Sequence, residues 1–221
     1  MKIIDPAVIV DPFDAFAIKK DLERAIRTCY QSKPTHEGGT RKLIEHVLES
    51  GHHSTIEHRS ITVRIICDRG VTHEIVRHRL AAYSQESTRF CNYSQERFGR
   101  DLTFIRPLFW IDHDSTEQAA LWEQSMLLAE STYLKMIELG ASPQQARSVL
   151  PNSLKTELVM TANLREWRHI FKLRCSPKAH PQMIQVMSPL KHFLQEAGLN
   201  MFFYDIPAAA SSYPAKVSWF C

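Results

Sequence analysis
Glycine is scarce in this chain, with 7 residues in 221. A glycine-rich loop that cradles phosphate through backbone amides is therefore not expected. Cysteine is present but unpatterned: Cys29, Cys67, Cys91, Cys175 and Cys221 are odd in number, scattered and never spaced as CxxC. That usage argues for reduced thiols in a cytoplasmic compartment. Long apolar runs are missing too; none approaches the roughly 20 residues that span a bilayer, so no membrane partner is expected. The opening stretch, MKIIDPAVIVDPFD, has an apolar patch that acids interrupt, and no small-residue cleavage site follows. No signal peptide is expected there.

What is present suits an ordinary globular protein. Apolar residues make up 44% and charged residues 23%, and the length fits one domain, residues 1–221, with a sizeable core. The formal charge of +3 says little, but its distribution says more. Arg77, Arg79, Arg89, Arg97 and Arg100 crowd one stretch, opposed only by Glu86 and Glu96, and Arg147, Arg165, Arg168 and Arg174 form a second group. Guanidinium groups match phosphate and carboxylate geometry, which points to an anionic ligand. A solvated basic face explains the same charges, so both readings stay open here.

Periodicity gives the outline of a fold. Ile18, Leu22, Ala25, Ile26 and Cys29 are spaced for a helix over 14–31. Leu43, Ile44, Val47 and Leu48 predict a second, ended by Gly51. Ile61, Val63, Ile65 and Cys67 alternate with polar residues, as on a half-buried strand. A short helix is predicted over 72–79, an ordered polar loop over 80–100 and a short strand over 102–105. A long helix should follow over 115–139, then one opened by Ser142-Pro143-Gln144-Gln145 that stops near Pro151. Leu158, Met160 and Ala162 suggest a strand, Asn163 starts another helix, and a last helix over 182–197 bends at Pro189. The tail from Leu199 reads as irregular. Few strands among many helices, without regular βαβ alternation, predict an α+β fold: a small antiparallel or mixed sheet flanked by helices.

Three stretches carry chemistry. Gly51–His58, GHHSTIEH, holds His52, His53 and His58. Those histidines could bind a metal, line a connection, or meet a ligand together with Ser54 and Thr55. In HEIVRHR, residues 73–79, helical spacing would put Glu74, Arg77 and His78 on one face. In YSQESTRF, residues 83–90, Ser87 has neither an adjacent base nor a nucleophile elbow around it. Hydrogen bonding by Ser87, with Arg89 gripping a phosphate, is the better reading.

Arg77-His78-Arg79, seven residues, then Ser87, resembles the RHR-x7-S signature of the flavin-dependent thymidylate synthases. GHHSTIEH resembles that family's histidine segment, and Ala146-Arg147-Ser148-Val149-Leu150-Pro151 its Ala-Arg-x-x-Leu-Pro segment. Asn163-Leu164-Arg165, His169 and Leu173-Arg174 resemble its late flavin and nucleotide segment. The resemblance implies a homotetramer with sites shared between chains. It implies reductive methylation of dUMP to dTMP, with 5,10-methylenetetrahydrofolate supplying the carbon and FAD carrying hydride from NADPH. By matching position, it implies flavin contacts from Ser54, Arg77, His78, Arg79, Gln85, Asn163, Leu164, Arg165 and His169. It implies dUMP contacts from Glu74, Ile75, Val76, Arg77, Gln85, Glu86, Ser87, Thr88, Arg89, Arg147 and Arg174. Arg174 is the implied catalytic residue, stabilising negative charge on the uracil ring. His52 is a candidate for the folate or flavin face.

The chain departs from the family pattern at several places. Glu74 stands where glutamine is expected and Gln85 where glutamate is expected; His169 replaces a common asparagine and Phe90 a common tyrosine. Two other classes of function compete with the resemblance. One is a nucleic-acid module built on the arginines with Tyr83, Phe90, Tyr93 and Phe98. The other is a metal-dependent hydrolase using His52, His53 and His58.

Overall fold
The computed structural model describes residues 1–33, 39–111 and 116–220. The N-terminal patch is two strands, β1 (Lys2–Ile4) and β2 (Ala7–Val10). Three or four residues are too few to show a period, and the pairing partners lie far away in sequence, so neither strand could be read locally. Helix α1 (Ala15–Tyr30) starts where Asp14 accepts the Phe16 and Ala17 N–H groups at 2.8 and 3.1 Å. It buries Ile18, Leu22 and Ile26 of the predicted stripe, whereas Ala25 is partly covered and Cys29 is exposed. Helix α2 (Gly39–Glu49) buries Ile44, Val47 and Leu48. A 3-10 turn, His53–His58, leads into β3 (Ser60–Asp68), whose buried Ile61, Val63, Ile65 and Cys67 bear out the alternation.

Two corrections follow. Helix α3 runs Arg69–Ile75, earlier than predicted, because the Asp68 carboxylate caps it by accepting the Val71 N–H at 2.8 Å. Arg77, His78 and Arg79 therefore lie beyond the helix, and the shared helical face with Glu74 does not exist. The expected loop then begins with a strand, β4 (Ala81–Gln85). Its Ala-Ala-Tyr-Ser-Gln sequence has little strand propensity, and pairing with a neighbour makes it one.

The chain continues through β5 (Thr103–Ile105) and the long helix α4 (Glu117–Glu138), whose predicted first residue, Ser115, lies outside the described residues. The helix expected up to Pro151 is shorter: α5 (Pro143–Ala146) gives way to a 3-10 turn, Arg147–Val149. The Gln145 side-chain Oε1 accepts the Ser142 N–H at 2.8 Å, as the capping spacing suggested. Strand β6 (Lys155–Asn163) is longer than predicted. Helix α6 (Leu164–Arg174) is capped by Asn163, which accepts the Glu166 N–H at 2.8 Å. Helix α7 (Pro181–Leu194) keeps Pro189 inside it. The tail is not wholly irregular, since β7 (Lys216–Trp219) closes it.

The fold is α+β, as expected. One sheet pairs β1 with β5 in parallel, Lys2 opposite Thr103 and Ile4 opposite Ile105. The other has the order β4-β6-β3-β2-β7. Leu164 N–H bonds to Arg59 at one end of the β6–β3 pair and Arg69 N–H to Leu154 at the other, so these central strands run antiparallel.

The chain divides into two compact units. Unit 1 comprises residues 1–7, 65–77 and 84–158, and its core gathers Tyr93, Leu102, Phe104, Met126, Tyr133 and Leu154. Unit 2 comprises residues 8–64, 78–83 and 159–221. There Trp167 stacks on Phe171 at 5.3 Å between ring centres, and its indole N–H donates to the Ile61 carbonyl at 3.1 Å. Burying a large side chain of this kind stabilises by about 1.5–3 kcal/mol.

Candidate functional site
Unit 2 gathers a polar cluster around two buried side chains, His78 and Glu166, with Arg174 half-buried and His169 exposed. Helix α6 presents Glu166, His169 and Arg174, and the turn before β4 brings in His78. Arg174 Nε donates to His78 Nε2 at 2.9 Å, although the two residues are 96 positions apart. His78 Nδ1 lies 3.4 Å from Glu166 Oε1, and the His78 and His169 rings meet edge to face at 5.6 Å. The Tyr83 hydroxyl donates to the His78 carbonyl at 2.7 Å. Burial, then the charges of Arg174 and His169, push the His78 pKa down to about 4. Burial raises the Glu166 carboxyl above its ordinary value, against the pull of His169 and Arg165. Tyr83 is pushed up to about 12, by burial first and the Glu166 charge second.

These groups also bear on the metal question. Among the described residues, one group of potential ligands lies close enough together for an ion: His78, Glu166 and His169, within 4.8 Å of one another. His52, His53 and His58 do not assemble into such a group. In the cluster that does form, the Arg174 N–H occupies the His78 Nε2 lone pair, and the atom of His78 that faces Glu166 is Nδ1.

Beside this cluster, unit 2 has a cavity of about 310 Å³ lined by His53, Arg165, Arg168, His169, Lys172 and Asp205. Arg168 grips Asp205 through two nitrogens, at 2.7 and 2.5 Å. That pairing, opposed by burial, holds the Asp205 carboxyl below its usual value. Arg165 pairs with Glu57 at 2.5 Å and so ties α6 to the histidine turn that carries exposed Ser54. Five nitrogen-bearing side chains against one neutralised carboxylate suit an anionic group such as a diphosphate. The donor set therefore fits the phosphate portion of a dinucleotide flavin. Asn163 serves as the α6 cap, and Leu164 is fully buried, so only its backbone could meet a ligand. A larger cavity of about 440 Å³, reached by Phe16, Lys19, Arg41 and Tyr204, is lined by no residue of the motifs.

Unit 1 holds most of the residues expected to meet a nucleotide: Glu74 to Arg77, Gln85 to Arg89, and Arg147. The Gln85 amide donates to Thr72 at 3.0 Å and to Thr156 at 3.3 Å, both fully buried. Glu86 is built into the unit: its carboxylate accepts from the Tyr93 hydroxyl at 2.7 Å and from Lys155 at 3.0 Å. Burial, reinforced by Glu86, raises the Tyr93 pKa. Burial alone would lower the Lys155 pKa, but Glu157 and Glu86 together raise it. Ser87 turns the chain, its Oγ accepting the Arg89 N–H at 3.3 Å and its carbonyl the Cys91 N–H at 2.9 Å. Thr88 and Ile75 are buried, whereas Val76, Arg77, Arg89 and Arg147 are exposed. The Arg89 guanidinium sits 5.1 Å from the centre of the Phe90 ring. In unit 2, Arg79 is likewise exposed and follows buried His78.

Sequence reasoning missed Glu166, the Tyr83 hydroxyl, Arg168 with Asp205, and the Thr72–Thr156 pair. The spacing Asn163-x-x-Glu166 marked Glu166 only as a helix-start residue. Nothing local could pair Thr72 with Thr156, or Arg168 with Asp205.

Comparison with known proteins adds an independent line. The family described as thymidylate synthase complementing protein matches residues 15–197. A flavin-dependent thymidylate synthase of Mycobacteroides abscessus is 31% identical over 217 residues, covering 89% of this chain and 84% of that protein. The Pyrococcus furiosus enzyme of the same name is 34% identical over 152 residues, or 68% of this chain, and the match spans 60% of its own length. Thymidylate Synthase X from Helicobacter pylori, solved with FAD and dUMP, superposes with a TM-score of 0.69 at 26% identity, covering 89% of this chain and 97% of that one.

Proposed function
The chain belongs to the flavin-dependent thymidylate synthase family, and from that premise we propose that it converts dUMP to dTMP by reductive methylation. The observation that carries this reading is the 2.9 Å bond from Arg174 to His78, which joins two of the motif blocks across 96 positions. The cationic cavity beside it supports FAD as the resident cofactor, with Arg165, Arg168, Lys172 and His169 toward the phosphates. Bound FAD supplies hydride chemistry, with NADPH as reductant and 5,10-methylenetetrahydrofolate as carbon donor. The protein's own part is charge and position. Arg174 brings a fixed cation to the negative charge that develops on the uracil ring. Arg89, exposed beside the Ser87 turn, grips the nucleotide phosphate. Sites shared between copies require an oligomer, and we assign a homotetramer. Exposed Leu121 and Leu128, seven residues apart on α4, support a subunit contact there. The chain acts as one catalytic domain in the cytoplasm.

The visible absorption spectrum tests the reading. Purified protein should be yellow, should bleach with NADPH, and should make dTMP only when dUMP and the folate are both present. A colourless protein that neither binds added FAD nor oxidises NADPH refutes it.

A further inference from the structure
The Arg174–His78 bond fixes a proton as well as a contact. An arginine Nε always carries its hydrogen and has no lone pair to offer. The 2.9 Å bond therefore makes His78 Nε2 the acceptor. A neutral imidazole with a bare Nε2 carries its proton on Nδ1, the atom that faces Glu166 Oε1 at 3.4 Å. Both side chains are shut away from water, at 4% and 7% exposure. We propose that Glu166 is a positioning residue: its carboxylate accepts the His78 Nδ1–H, holds the ring in that tautomer, and so keeps Nε2 open to Arg174. The proposal rests on the role given above to Arg174 as the cation of the reaction.

At 3.4 Å the Glu166 contact is long for a hydrogen bond, so its effect is selection more than strength. The other tautomer would set Nε2–H against the Arg174 N–H, two donors face to face. It would also set a bare Nδ1 against a carboxylate, two acceptors face to face. Both mismatches fall on the buried His78 ring, where leaving a polar atom mispaired is costly. The surroundings hold the arrangement from every side. The Asn163 cap fixes the first turn of α6, on which Glu166 and Arg165 stand, and the Tyr83 hydroxyl holds the His78 carbonyl. Burial first, and the Arg174 guanidinium second, hold the His78 pKa down and keep the ring neutral.

The tautomer can be read directly by long-range proton–nitrogen NMR on protein labelled with 15N-histidine, with His78→Gln assigning the signal. We expect His78 to show a protonated Nδ1 and a bare Nε2 at neutral pH. A protonated Nε2, or an imidazolium, overturns the proposal. Glu166→Gln offers an amide oxygen as acceptor and should keep both the tautomer and dTMP turnover within about threefold of the parent. Glu166→Ala should mix the tautomers and lower kcat by about tenfold, the scale of one lost orienting hydrogen bond, with flavin content and dUMP KM little changed. An alanine variant that matches the parent, or a glutamine variant as damaged as the alanine one, also overturns it. Protein that shows the expected tautomer but makes no dTMP would refute the proposed function while leaving the Glu166–His78 geometry intact.

Discussion
Replacing Glu86 by alanine should weaken the fold of unit 1 before it touches a ligand. Its carboxylate serves two partners at once, the Tyr93 hydroxyl at 2.7 Å and Lys155 at 3.0 Å. Tyr93 belongs to the unit 1 core and is 6% exposed, so its hydroxyl would be left without an acceptor, at a cost of about 1–3 kcal/mol. Lys155 keeps Glu157 at 2.7 Å, and its side chain is 20% exposed, so its loss is smaller than that of a fully buried pair. Together these give about 2–4 kcal/mol. For a chain of this length that corresponds to a fall in Tm of about 4–16 °C. The assay is urea and thermal unfolding at fixed protein concentration, because subunit association shifts apparent stability. A cycle with Lys155→Met should show that the two substitutions are not additive. If unfolding is unchanged within about 0.5 kcal/mol while the KM for dUMP rises, Glu86 works on ligand rather than on the fold, and the reasoning is refuted.

Three further outcomes are expected. Arg174→Ala should cut dTMP formation by about a hundredfold or more, the scale for removing one preorganised charge donor, while the flavin absorbance stays; near-normal turnover would remove Arg174 from its role. Stability should fall as pH drops from about 6.5 toward about 4. His78 binds a proton in the unfolded chain across that window while the folded cluster refuses it, so its contribution is full above the window and lost on the way down. The loss should reach about 3 kcal/mol, reduced by the raised Glu166 carboxyl, which takes up its proton in the folded state. In urea titrations His78→Gln should flatten this slope, and an equal slope in parent and variant would count against the burial of a neutral histidine. Gly198→Ala should destabilise by about 1–3 kcal/mol, since Gly198 sits at φ +95° and an added Cβ would lie 3.0 Å from the Ala15 Cβ. An unchanged urea midpoint would contradict it.

Some of this was written locally in the chain. The α1 stripe of Ile18, Leu22 and Ile26, the alternation in β3, and the Asn163 cap rest on interactions within a few residues, so a one-dimensional pattern carries them. The motif spacing from Arg77 to Ser87, with the later blocks, was enough to place the family. Where the sequence misled, a hydrogen bond that apolar spacing does not record decided, one of them local and one distant. Helix α3 begins early because Asp68 caps it, which moves Arg77–Arg79 off the helix. Strand β4 exists because β6 pairs with it, in spite of its poor propensity.

The site divides in the same way. Residue types alone marked arginines and histidines for an anionic ligand, because charge and hydrogen-bonding capacity belong to the side chain wherever it sits. Which groups meet which belongs to the fold. His78 and Arg174 share a bond across 96 residues, Glu166 selects the ring tautomer from within its own helix, and Glu86 turns inward to Tyr93 and Lys155. Direction, distance and burial set those pairings and the pKa shifts that follow from them, and all three come into being only when the strands and helices pack.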